Sequence, residues 1–417
     1  MDNTTPPVLE EKSPTEERGL FGSLLRGDKV IWAIFFILCF ISIIELFSAS
    51  SMIAHKSASY FSPMTSHVTH LLLGFGVLLV VSNIPYRFFK AIPFIVGPLT
   101  VIALIYLLAF GEKTNDAARS FNIGGFPLQP SEFAKLVLII YVSHILSMYQ
   151  EEEGSSRMPF QLIMFAVLLI CLAIFPENVS TSIMIGFVCF LLMIIGRIEW
   201  RYLIGLVSLI LIFAATIYIT VPLMPKNWTD TGLLHRIDMA IDRIKIHQGE
   251  TTFPKSAFEI SDEDHQVYHA KMAIANGGIK PFGTFPGNSV ERDFLPLAFS
   301  DFIFAIIIEE MGIPGAVFVM LLYLFLVMRA GIIARKCKRS FPALLILGCA
   351  LMITVQALVN MAVAVNLIPV TGQPLPLISK GGSSILITSI FIGMMLSISR
   401  FAVDEEELNS ELDNEKK

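Results

Sequence analysis

Runs of about twenty consecutive apolar residues, repeated along the chain, constrain this sequence more than any other feature. A helix of that length matches the roughly 30 Å hydrocarbon core of a bilayer. The runs fall at about 30–50, 67–84, 91–110, 132–148, 159–175, 179–196, 201–221, 300–328, 342–366 and 380–399. Composition agrees, since 54% of the 417 residues are hydrophobic and only 16% are charged, with a mean hydropathy of +0.69. Soluble domains carry about 25% charge. Only helices and closed barrels satisfy every backbone polar group inside lipid. The expected fold class is therefore an all-α integral membrane protein with ten transmembrane helices. The net charge of −5 gathers mainly in the two tails, and nucleic acid is not an expected partner.

The short loops divide by charge. One side carries Arg87 and Lys90, then Arg157, then Arg197 and Arg201, then Arg329, Arg335, Lys336, Lys338 and Arg339. The other shows Lys56, Lys113, Arg119 and Lys380. The positive-inside rule makes the first side cytoplasmic, with both termini inside and residues 222–299 outside. This gives a cytoplasmic tail over 1–28, a membrane domain over 29–400 and an acidic cytoplasmic tail over 401–417. Both tails are expected to be solvated and disordered, because a charge block such as DEEELNSELDNEKK cannot bury a core. The first apolar run is too long for a signal peptide and should remain as a span. Cys39, Cys171, Cys189, Cys337 and Cys349 fall in spans or on the cytoplasmic side, which excludes a disulfide framework in the exported loops.

A carboxylate interrupts this pattern. In LPLAFSDFIFAIIIEE, residues 295–310, Asp301 stands where the long external loop becomes the eighth span. Placing a lone carboxylate in hydrocarbon costs at least about 2.5–3.5 kcal/mol, so such a group normally faces a water-filled cavity or a partner. The 222–299 loop is long enough to be functional or structured itself. Its HRIDMAIDRIKI and HQVYHAKMAIA segments read as short amphipathic helices for the membrane interface, and NGGIKPFGTFPGNSV supplies turn residues beside span eight.

Two further segments face the same side. At the start of span four, Glu132 and Lys135 are three residues apart, a spacing that pairs side chains on a helix. The pair is either a structural ion pair or part of a polar cavity. Gln129, Pro130 and Ser131 precede it as a helix start, with Ser131 the expected N-cap. Residues 369–384, PVTGQPLPLISKGGSS, form a Pro/Gly-rich approach to span ten. Irregular backbone at membrane depth must be buried in protein or line a cavity. Its glycines either pack helices closely or expose N–H groups to an anion.

QPSEFAK (129–135), GNSV with FLPLAFSDFIFAIIIEEMG (287–312) and PVTGQPLPLISKGGSS (369–384) together resemble the SEDS family, the shape, elongation, division and sporulation proteins. The resemblance covers about residues 28–400, and the opening GDKVIWAIFFILCFISIIELFSASS is more similar to the division branch of Bacteroidetes-type bacteria than to the elongation branch. It implies a SEDS fold and a peptidoglycan glycosyltransferase. Such an enzyme polymerises lipid II, an undecaprenyl-pyrophosphoryl disaccharide-peptide, on the outer face of the bacterial cytoplasmic membrane. The division branch further implies work at the septum. Implied partners are lipid II, a class B penicillin-binding protein transpeptidase, other division proteins and membrane lipids.

Within that resemblance Asp301 matches the essential family aspartate, either as general base or as ligand of a divalent cation, Mg²⁺ or Mn²⁺, with no organic cofactor. The matching motifs mark Arg119, Gln129, Ser131, Glu132, Lys135, Asn288, Ser289, Ser379, Gly381, Gly382, Ser383 and Ser384 as substrate-binding. Leu297 and Phe299 stand where the family commonly has Glu and His, Lys380 replaces a Tyr and Ser120 a Trp. Asn178 lies near an acidic family position. Two other classes compete with the enzyme: a lipid II flippase, which would place polar groups near the bilayer midplane, and a noncatalytic division scaffold.

Overall fold

The computed structural model describes residues 25–49, 62–110, 121–123, 126–150, 157–221, 241, 262–279, 283–284, 286–295 and 300–415. Seven apolar helices come first: α1 (Lys29–Ala49), α2 (Ser62–Asn83), α3 (Ile92–Phe110), α4 (Pro130–Gln150), α5 (Arg157–Ile174), α6 (Val179–Ile195) and α7 (Trp200–Thr220). A loop helix, α8 (Asp262–Gly277), separates them from α9 (Ile303–Lys336), α10 (Ser340–Ala364) and α11 (Gly382–Glu415). Among the described residues, nine helices have the length and apolarity to cross a membrane, and the 17-residue α6 is a shorter apolar helix. Its start is fixed by Asn178, whose side chain accepts from Thr181 N at 3.0 Å. These ten helices occupy the positions of the ten expected spans.

Burial sorts the helices into a centre and a rim. Helices α4, α10 and α11 are largely enclosed, and α10 packs against α4, α6, α9 and α11, while α11 also lies along α2. Their apolar faces, with Leu138, Ile139, Leu345, Ile346, Met394 and Met395, form one continuous core. At the other extreme α7 buries only Leu203, and its apolar side chains face outward, as expected against lipid.

The polar ends of the bundle are tied across long sequence distances. At one end Arg329 donates to Asp28 Oδ2 from Nε at 2.9 Å, and Asp28 N donates to Ser399 Oγ at 3.0 Å. At the other, Arg292 Nη1 donates to Ser48 O at 3.2 Å and Gly287 O at 2.7 Å.

Helix α9 explains how the loop is held. Gly312 breaks it with φ 70° and ψ 177°, and Pro314 follows. In an unbroken helix Ile313 N would donate to Glu309 O. Here Ile313 N donates to Gly278 O at 3.1 Å, and Glu309 O accepts from Thr284 N at 2.9 Å, so the loop satisfies both backbone groups freed by the break. The approach is tight: a Cβ on Gly277 would stand 1.9 Å from Ile308 O, and one on Gly283 would stand 2.2 Å from Glu309 O.

Four expectations change. A two-stranded antiparallel hairpin, β1 (Phe121–Ile123) with β2 (Phe126–Leu128), pairs Phe121 with Leu128 and rests against α11. The two glycines between the strands are a hairpin cue that helix-only reasoning passes over. The α8 segment buries Ala270 and Ala273 and packs on α9, so part of the apolar face expected at the membrane interface is used inside the protein. Helix α11 runs through the acidic tail to Glu415, where a disordered end was expected. Once a span has nucleated the helix, a segment free of Gly and Pro propagates it at little cost. Lastly, α4 begins at Pro130, so Pro130 opens the helix and Ser131 lies inside it instead of capping it. Proline suits that first position, having no N–H to satisfy. The expected HRIDMAIDRIKI helix falls almost entirely outside the described residues.

Candidate active site

The floor of the site is a buried polar network. Lys135 Nζ donates to Glu132 Oε1 at 2.7 Å and to Gln356 Oε1 at 2.8 Å, with only 1% and 6% of the Lys135 and Glu132 side chains exposed. Helix α4 provides both charged groups because residues three apart share a face. Gln356 then donates from Nε2 to Pro374 O at 3.0 Å. One helical turn on, Asn360 Nδ2 donates to Gln373 O at 2.7 Å and to Asp301 O at 2.8 Å. Gln373 Nε2 donates to Thr181 Oγ1 at 2.7 Å, which draws α6 into the same network.

Asp301 sits just before α9, partly buried, with Ser300 Oγ donating to its Oδ1 at 3.1 Å. Its backbone is clamped from two directions. Asn360 holds its carbonyl, while Ser379 Oγ donates to Ser300 O at 2.5 Å and accepts from Leu375 N at 2.8 Å. Gln356 and Asn360 lie four residues apart on α10, about 6 Å along its axis at ~1.5 Å per residue. The acid's anchor and the Glu132–Lys135 pair are therefore adjacent steps of one scaffold.

The approach to α11 forms the neighbouring wall. Ser42 Oγ donates to Ile378 O at 2.9 Å, which uses the hydroxyl's one proton, so His67 Nε2, 2.7 Å away, is the donor to that hydroxyl. Lys380 is half-buried, and its burial holds its ammonium pKa below the ordinary lysine value. Ser383 and Ser384 are buried in the first turn of α11, and Ser384 Oγ has no hydrogen-bond partner among the described residues. A Cβ on Gly381 would meet only Ser384 Cβ, at 3.5 Å, an ordinary contact, so close helix packing does not require glycine there. Backbone N–H groups at such a helix start suit an anion.

The loop before Asp301 is secured by a second carboxylate. Glu309, fully buried, accepts from Asn276 Nδ2 at 3.1 Å, Val290 N at 3.1 Å and Ser289 Oγ. The Ser289 hydroxyl is thus committed to the protein, whereas Asn288 is exposed. Beside it, Ser48 Oγ donates to Glu310 Oε1 and accepts from Arg292 Nη1. Glu45, one turn earlier on α1 and also fully buried, has neither carboxylate oxygen hydrogen-bonded among the described residues.

Sequence reasoning identified Asp301, Glu132, Lys135, Ser379, Ser383 and Ser384, and the structure brings Asp301, Glu132, Lys135 and Ser379 into one hydrogen-bonded scaffold. Gln129 contributes its carbonyl to Glu132 N at 3.1 Å. Gly382 is the first residue of α11. Arg119, Ser120, Leu297 and Phe299 lie outside the described residues. Gln356, Asn360, Gln373, Thr181 and Arg292 were missed. The cue for two of them was present, since Gln356 and Asn360 are polar residues at helical spacing inside an apolar run.

Comparison with known proteins follows the same lines. The family model described as "Cell cycle protein", grouping FtsW, RodA and SpoVE, matches residues 28–404. A relative from Geobacter sulfurreducens named "Probable peptidoglycan glycosyltransferase FtsW" is 29% identical over 384 residues, covering 90% of this chain and 95% of its own. A Halomonas elongata protein of the same name is 33% identical over 353 residues, covering 81% of each. Among solved structures, a chain from work on "Structural coordination of polymerization and crosslinking by a peptidoglycan synthase complex" superposes with TM-score 0.70 at 22% identity, covering 90% of this chain and 98% of that one. The Thermus thermophilus rod shape determining protein RodA superposes with TM-score 0.62 at 21% identity, over 91% of this chain and 99% of its own. These two share the fold.

Proposed function

The chain belongs to the cell cycle protein family of FtsW, RodA and SpoVE, and from that footing we propose that it is a peptidoglycan glycosyltransferase that polymerises lipid II at the outer face of the bacterial cytoplasmic membrane. It is a multi-pass membrane protein. In this reading both termini are cytoplasmic, the site opens outward, and the protein works at the division septum with a class B penicillin-binding protein.

The observation that carries the reading is Asp301, a carboxylate at the head of α9 whose backbone is held by Asn360 and, through Ser300, by Ser379. Glycan extension requires an acceptor hydroxyl to lose its proton as its oxygen bonds to the donor's anomeric carbon. The anomeric carbon–oxygen bond breaks, and the lipid pyrophosphate leaves with the electron pair. Asp301 takes the proton as general base. One displacement inverts the anomeric centre, so no second carboxylate nucleophile is needed. In this reading the start of α11, with Ser383 and Ser384 in its first turn, takes the pyrophosphate, and Lys380 just before it adds positive charge.

Among the described residues no three His, Cys, Asp or Glu side chains cluster as a metal cage. A single carboxylate at a watery boundary fits the way Mg²⁺ binds, through one or two carboxylates plus substrate phosphates. Asp301 is the residue that would hold such an ion, which when bound would neutralise the leaving pyrophosphate.

Purified chain incubated with purified lipid II, with and without the cognate class B penicillin-binding protein, tests the reading. Glycan strands are expected. Transbilayer movement of lipid II without strands would favour the flippase, and neither activity would favour the scaffold.

A further inference from the structure

At the bundle end opposite Asp301 lies a cavity of about 780 Å³ between the ends of α4, α6 and α9 and the starts of α5 and α10. Arg197, Arg335, Lys338 and Arg339 line it, and among the described residues no Asp or Glu does. All four cations are exposed, and none has a carboxylate partner among the described residues. The general excess of basic residues on a cytoplasmic face does not by itself produce this arrangement. Nearby Arg201 is paired with Glu199 at 2.5 Å, and Lys90 lies over the Phe341 ring at 4.9 Å. Neither lines the cavity.

The backbone contributes as well. Gln150 Nε2 donates to Gly196 O at 3.1 Å, fixing the turn after α6, and Arg197 follows in a left-handed conformation with φ 60°, one that favours glycine or asparagine. Arg339 is the N-cap of α10 and its side chain makes no capping bond, so the start of that 25-residue helix adds partial positive charge beside Ser340. Leu146, Leu344 and Leu347 line the same cavity. A cationic rim over an apolar wall matches an amphiphile with an anionic head.

We propose that this cavity binds the phosphate headgroup of an anionic lipid of the cytoplasmic leaflet, with Arg197, Arg335, Lys338 and Arg339 on the phosphate and an acyl chain along the leucine wall. Basic pockets between helices on the cytoplasmic side are suited to such headgroups. The proposal rests on the topology given above and not on the glycosyltransferase chemistry.

The test is native mass spectrometry of the full-length protein released from mixed micelles containing phosphatidylglycerol or phosphatidylcholine. The wild type should retain one phosphatidylglycerol selectively, and Arg197→Gln/Arg339→Gln should lose that retention at least tenfold. The charge-matched Arg87→Gln/Arg157→Gln variant should keep it. Melting curves in phosphatidylcholine establish that all three are folded, and Lys338→Gln serves as a single substitution if the double variant is not. Equal loss in both double variants would reduce the effect to diffuse surface charge and overturn the site. Protection by inorganic phosphate equal to that by phosphatidylglycerol would overturn the lipid assignment. Because binding is read directly, the result is independent of polymerase activity.

Discussion

Asn360 donates from its side-chain nitrogen to the main-chain carbonyl of Asp301 at 2.8 Å, so a residue deep in α10 sets where the acid at the head of α9 stands. The same amide group holds Gln373 O, which makes Asn360 the junction between the acid and the approach to α11. Asn360→Ala should leave the protein inserted and lipid II bound, yet lower the rate of strand synthesis about 10- to 100-fold, the equivalent of losing one buried donor at ~1–3 kcal/mol. Measured kcat should fall with little change in KM. A rise in KM alone would assign Asn360 to substrate binding.

Glu132 and Lys135 should behave as a unit. Removing one partner leaves the other charge buried, at a typical cost of about 3–5 kcal/mol. Glu132→Gln and Lys135→Met should each lower the melting temperature sharply. The combined variant should recover part of that loss, since its site holds no unpaired charge. Melting curves in matched detergent decide the matter: additive losses would show that the two are not coupled.

Two buried glutamates on neighbouring helices should respond oppositely to neutralisation. Glu309 accepts from Asn276, Ser289 and Val290, so Glu309→Leu should destabilise the loop by several kcal/mol at ~1.5–3 per bond to a charged acceptor. Glu45 is fully buried and, among the described residues, has no hydrogen bond to either oxygen. Glu45→Leu should be neutral or stabilising, as burying a polar group without partners only costs free energy. Limited proteolysis of the 262–295 region reports the loop, and thermal melts report the whole. Strong destabilisation by Glu45→Leu would show that the carboxylate has a partner the account does not include.

Lys380 carries a pH signal. Burial lowers its pKa in the folded protein, so the unfolded chain holds more protons in the alkaline interval below the ordinary lysine value, and stability should rise with pH there. The penalty is largest below the folded-state pKa and fades as pH rises through the ordinary lysine value. Relative to Lys380→Met, wild-type melting temperature should climb as pH is raised through that interval. Parallel pH profiles for the two proteins would remove Lys380 from this role. As the group is half-buried, solvent screening keeps the effect small.

Helix number and placement were legible because each span must be apolar for about twenty residues, whatever it packs against. Asp301 and Glu132–Lys135 were legible for the converse reason, as charges where charge is costly. Amide side chains cost less to bury, so Gln356 and Asn360 drew no notice, although they connect the charged groups. The exchange of the Glu309–Ile313 backbone bond for contacts to Gly278 and Thr284 was not legible at all. It depends on where a distant loop docks, and the sequence shows only a glycine and a proline in a long apolar run. The helical tail to Glu415 was misread from charge alone, when continuity with α11 decides its conformation.

The most direct test of the central claim is Asp301→Asn, assayed for gel-resolved glycan product from lipid II with added Mg²⁺ or Mn²⁺ on membranes with matched protein levels. The substitution keeps the volume and much of the hydrogen bonding while removing the ability to take a proton or balance a cation. The account predicts a protein that inserts, melts like wild type, still binds its transpeptidase partner and makes no strands. Near-normal strand synthesis by the Asn variant would contradict it.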